Sequence, residues 1–148
     1  MGGSMSRNKG QRAERAVIKL LQPILDRVAQ QTSTVAIELA RNLVQAHKGG
    51  DDVVGLEWLS IEVKHQEVFH VNDWWAQAKR QAKGDQRPVL FYRRNHGPWT
   101  VRMLVKVPTG PQSFVWLPAD LTLERFILWF SITARRIARQ EERANKGL

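Results

Sequence analysis

The chain has no cysteine, which excludes disulfides, thiolate metal sites and a cysteine nucleophile. This fits a reducing compartment such as the cytoplasm. Long apolar runs are missing too. No stretch approaches the ~20 residues of a membrane-spanning helix, and no secretory leader is visible. No phosphate-cradling loop, dinucleotide fingerprint or Ser-His-Asp arrangement can be traced, and His47, His65, His70 and His96 have no metal-ligand spacing. Carboxylates are scarce beside bases: 14 Asp and Glu face 23 Lys and Arg, for a net charge of +9. Such a balance points to a polyanionic partner, nucleic acid before an anionic membrane, because the bases are spread along the chain. The plain alternative is charge kept for solubility.

What is present suits one domain of 148 residues. Met1-Gly2-Gly3-Ser4 ahead of a second methionine reads as an added leader, leaving a single domain over 5–148 with a core at about 8–107. Apolar residues at helical spacing predict a helix over 6–30, with Pro23 kinking or restarting it. Residues 35–39 are ambiguous, 41–47 alternate as a strand, and 48–51 form a turn. Strand segments follow at 52–54 and 58–65, around Gly55. Asn72-Asp73 caps a helix to about Lys83. Strands at 88–93 and 99–107 flank a turn over 94–98, and a short strand at 113–117 precedes a helix at about 120–146, opened by Pro118 and Asp120, whose charged end frays. The order implies an α/β fold with a mixed sheet flanked by helices.

The run Ile61-Glu62-Val63-Lys64 puts Glu62 and Lys64 on one face of a strand, ten positions after Asp52. With 14 acids and eight lysines in 148 positions, chance alone yields roughly 0.8 acid-x-Lys triplets. The triplet by itself could be a cross-strand ion pair on an exposed face. Its context adds weight: Gly49-Gly50-Asp51-Asp52 precedes it, and Lys9-Gly10 leads to Glu14 on the first helix. Two carboxylates and a lysine on neighbouring strands can hold a divalent cation beside a phosphate.

These three motifs resemble the PD-(D/E)xK nuclease superfamily. Together with Trp74-Trp75-Ala76-Gln77 and Pro88-Val89-Leu90-Phe91-Tyr92-Arg93, they resemble its Holliday-junction-resolvase branch and the phage-encoded endonucleases within it. The resemblance covers about Lys9 to Leu104, and the C-terminal helix lies outside it. The usual Pro-Asp is Asp51-Asp52 here, which leaves Asp51 as a rival to Asp52. The resemblance implies a restriction-endonuclease-like fold with an added C-terminal helix. It implies Mg²⁺ or Mn²⁺ held by Asp52, Glu62 and the Val63 carbonyl, with Glu14 completing the shell directly or through water. Lys64 then orients the attacking water or the scissile phosphate, and Gln77 stands where many relatives place a glutamine near the site. Glu14 could instead be a surface acid paired with Arg12 or Arg15, and Gln77 an ordinary polar helix residue.

Trp74 and Trp75 suit base stacking or, more commonly, core or dimer interface, so at least one should be structural. Arg41, Lys79, Arg80, Arg93 and Arg94 are candidate phosphate contacts, each otherwise a solvated charge. The expectation is a Mg²⁺-dependent DNA endonuclease acting on branched DNA, a homodimer with two sites, phage-encoded and working in the bacterial cytoplasm. The alternatives are a related nuclease for flaps, mismatches or duplex, a non-catalytic DNA-binding module, and a basic packaging protein without a metal site.

Overall fold

The computed structural model describes residues 2–43 and 52–147. Helix α1 (Gly2–Thr32) leads into a six-stranded sheet, β1 (Ala40–Arg41), β2 (Val53–Val54), β3 (Leu59–His65), β4 (Arg87–Arg93), β5 (Thr100–Pro108) and β6 (Phe114–Thr122). Helix α2 (Val71–Gln81) connects β3 to β4, and α3 (Leu123–Asn145) follows β6. The strands lie side by side in chain order. Only β3 and β4 run parallel, because α2 carries the chain back to the starting end, while the other neighbours are antiparallel. This α/β, mixed-sheet architecture is the expected restriction-endonuclease-like fold.

Alternation along β3 and β4 sorts their side chains onto two faces. Leu59, Ile61 and Val63 share a face with Val89 and Phe91 and pack on α1 and α3, whose Val17, Leu21, Leu25, Phe126 and Phe130 are buried there. Trp58 stacks on Phe130, 5.5 Å between centroids, which locks α3 to the sheet. The opposite face presents Leu90 and Tyr92 to Trp74, Trp75 and Ala78 of α2. Both tryptophans are buried, so both are structural.

Several boundaries differ from expectation. The first helix is continuous through Pro23 and includes residues 2–4. Pro23 is exposed, so water can take the hydrogen bond its ring removes. The strand expected over 41–47 begins at Ala40 and covers only Arg41 of that range as far as Leu43, and 44–51 lie outside the described residues. Helix α2 starts at Val71 with His70 as N-cap and no side-chain cap, so Asn72 and Asp73 sit in its first turn.

The largest correction concerns Pro118. It does not open the last helix but lies inside β6, a nine-residue strand. A proline is tolerated there because β6 is an edge strand and its missing N–H can face outward. The helix begins instead after Thr122, whose side-chain oxygen accepts from the Arg125 N–H at 3.2 Å. It continues through the charged segment to Asn145.

Candidate active site

Glu62 and Lys64 pair with Leu90 and Tyr92 of β4 and so project to the α2 face. Asp52 immediately precedes β2, and its N–H donates to the Ile61 carbonyl at 2.8 Å, which brings it beside β3. The tight β2–β3 connection depends on Gly55, which has φ 120°, and a Cβ there would strike the Glu38 carbonyl.

Asp52 and Glu62 are buried, at 4% and 1% exposure. Asp52 Oδ2 accepts the Val63 N–H at 2.6 Å, which fastens β2 to β3 beyond the end of their ladder. In an extended strand a residue's N–H and C=O point to the same side, so the Val63 carbonyl faces the Asp52 side as well. Lys64 Nζ lies 3.0 Å from Glu62 Oε1 as an ion pair. The other Glu62 oxygen, Oε2, has no hydrogen-bond donor among the described residues. Burial first, and then the Asp52 charge, push the Glu62 carboxyl up, and the Lys64 ammonium only partly offsets them, leaving it at about 7.

A buried carboxylate with one oxygen undonated, beside a second carboxylate, carries a cost in stability. A cation supplied from solution would relieve it. The donor set is two carboxylates and a main-chain carbonyl, all hard oxygens, which suits Mg²⁺ or Mn²⁺. Among the described residues no three His, Asp or Glu side chains gather as a metal cluster.

Glu14 does not pair with Arg12 or Arg15. Its Oε2 accepts from Arg41 Nε at 2.6 Å, between side chains that are both mostly buried. Its charge still reaches Glu62, as the weakest of the influences raising that carboxyl. Arg41 thus holds an internal carboxylate through Nε. Gln77 is half-buried on α2. Lys79 and Arg80 are exposed on the same helix, with Lys79 Nζ 6.0 Å from the Trp75 ring centre. Arg94 lies over Phe69 at 4.4 Å and Arg93 over Trp99 at 4.5 Å. Asp51 lies outside the described residues.

One feature escaped sequence reasoning. A groove of about 770 Å³ runs between the start of α1 and the ends of β3 and β4, lined by Lys9, Arg12, His65, Glu67, Arg93 and others. His65 and Arg93 pair across the β3–β4 ladder. His65 is held below the usual histidine range by burial and by the Arg93 and Lys9 charges. Lys9 and Arg12, three apart on α1, were the available signal.

No curated protein and no solved structure matches the chain. One family model does, described as phage putative PDDEXK endonuclease, and it aligns with residues 5–112. That span holds Glu14, Asp52, Glu62 and Lys64 and is well over half of the sequence. The chain belongs to this phage PDDEXK endonuclease family.

Proposed function

We propose that the chain is a metal-dependent DNA endonuclease that cuts branched DNA, with a four-way junction as its substrate. The observation that carries the reading is Glu62: a buried carboxylate with Oε2 undonated, set near the Asp52 carboxylate and paired with Lys64, in a chain of this endonuclease family.

Asp52, Glu62 and the Val63 carbonyl would hold Mg²⁺ or Mn²⁺. The cation would supply charge neutralisation on the phosphate and an acidified water. Lys64, part-exposed and tethered to Glu62, is placed to meet a phosphate oxygen or to orient the water. Glu14 adds negative charge at the site's margin while Arg41 fixes its position. Lys79, Arg80, Arg93 and Arg94 supply phosphate contacts, and Gln77 stands on the helix covering the site face. Hydrolysis would leave 5′-phosphate and 3′-hydroxyl ends.

Resolving a junction takes two paired nicks, which two-fold pairing of subunits provides. Surplus apolar surface for such pairing is present on α3, where Leu128 and Ile132 are exposed, and along β6 from Phe114 to Leu117. The reading places the protein in the bacterial cytoplasm, where phage DNA is processed, and treats the chain as a single nuclease domain.

The test is incubation of purified protein with a synthetic four-way junction, a flap and a plain duplex, each with and without Mg²⁺. Cleavage of the junction in Mg²⁺ alone is expected. Equal cutting of the plain duplex would replace the junction reading with that of a general nuclease. No cutting of any substrate in Mg²⁺ or Mn²⁺ would sink the enzyme reading.

A further inference from the structure

The last helix carries an arginine stripe that the site does not use. Ile132, Arg136, Arg139 and Arg143 recur at intervals of four, three and four residues, so they share one face of α3, with Arg135 beside them. Together they border a shallow groove of about 350 Å³. Arg136, Arg139 and Arg143 are exposed, and Ile132 is 57% exposed among them.

None of the four arginines forms an ion pair among the described residues, whereas Arg41 and Arg102 each hold a carboxylate. Glu142, the nearest acid in sequence to Arg143, pairs with Lys146 instead. Like charges one turn apart oppose the helix that carries them. A polyanion laid along the stripe would turn that repulsion into attraction. The stripe is entirely arginine, whose planar fork of donors matches phosphate oxygens.

Its place in the fold narrows the ligand. Helix α3 buries Phe126, Phe130, Ala134 and Ala138 in the cluster shared with α1, on the sheet face away from α2. Glu62 and Lys64 project to the α2 face. The stripe also lies beyond residues 5–112, which the family model covers.

We infer that Arg135, Arg136, Arg139 and Arg143 form a second nucleic-acid backbone site, which takes a duplex arm other than the one entering the Asp52–Glu62 site. The assignment of that arm rests on the proposed nuclease reading, but binding along the stripe does not. From Arg135 to Arg143 the helix rises about 12 Å. B-DNA carries a charge every ~1.7 Å of its axis, so several phosphates lie within reach.

The test replaces all four arginines by glutamine, which keeps helix propensity and removes the charge. Binding to a four-way junction is measured without divalent cation across a salt series, so that cleavage plays no part. The wild-type slope of log K against log[salt] should shrink by about 0.9 for each phosphate that the variant leaves unneutralised, a total of about 2–4. Affinity for a duplex too short to span both faces should fall less than affinity for the junction. That pattern supports the site whether or not either protein cleaves DNA, so a failure of the nuclease reading remains distinguishable. Equal slopes for a variant that melts like wild type would overturn the inference. So would unchanged DNA binding together with abolished binding to phosphatidylglycerol vesicles, which would make the stripe a membrane contact.

Discussion

Asp52 Oδ2 takes the N–H of Val63, the residue next to Glu62 on β3. This bond holds the Asp52 carboxylate close to Glu62. The Asp52 charge raises the energy of the ionised Glu62, and the Lys64 ammonium offsets it only in part.

Asp52→Asn and Glu62→Gln should each lower Mg²⁺-dependent cleavage by at least ~10³-fold, about 4 kcal/mol of transition-state stabilisation. Both keep the side-chain shape, so junction affinity should hold or rise as a repulsive charge near phosphate disappears. Gel-shift and single-turnover assays on the same preparations separate the two effects. Near wild-type turnover in either variant would remove that residue from the ligand set.

Stability without divalent cation should fall as pH rises. Glu62 titrates near 4.5 in an unfolded chain and at about 7 here. Between those values the folded protein binds the extra proton, so the stability present at low pH is lost until about pH 7 and is then level. Glu62→Gln should therefore be more resistant to urea than wild type at pH 8, with the difference narrowing toward pH 4.5. Cation affinity of the wild type should rise over the same window, because binding requires the ionised carboxylate. Parallel stability curves for the two proteins across pH 4 to 8 would show that Glu62 is not the titrating group.

Phe130→Ala should cost about 3–5 kcal/mol, by removing a fully buried ring that stacks on Trp58. Urea unfolding checks the value. Helix α3 lies beyond the residues matched by the family model, and a loss under about 1 kcal/mol would show that it is merely appended to the core.

Sedimentation or light scattering at micromolar concentration should give twice the 17.0 kDa chain mass. Leu128→Asp and Trp116→Asp should shift the protein toward monomer, because both side chains are substantially exposed in the single chain. A monomer both free and junction-bound would end the paired-nick scheme and leave a nuclease that nicks one strand at a time.

Local signals in the sequence determined the alternation of 61–65, the glycine at position 55, the helical stripe of α1 and the basic balance. Each depends on neighbours within a turn or two of chain. That was enough to place Glu62 and Lys64 on one face. Other properties depend on contacts between residues far apart in sequence. Arg41 looks like an unpaired charge until the fold brings it to Glu14, 27 positions earlier in the chain. Pro118 looks like a helix start until β6 pairs with β5 and makes it part of an edge. Trp74 and Trp75 could have been base-stacking platforms, but packing against Leu90 and Tyr92 made them core. The raised Glu62 carboxyl is tertiary in origin as well, because burial and the facing charge of Asp52 exist only once the strands have paired. Sequence determined which polar groups are present, and the folded sheet decided which of them are held together and desolvated.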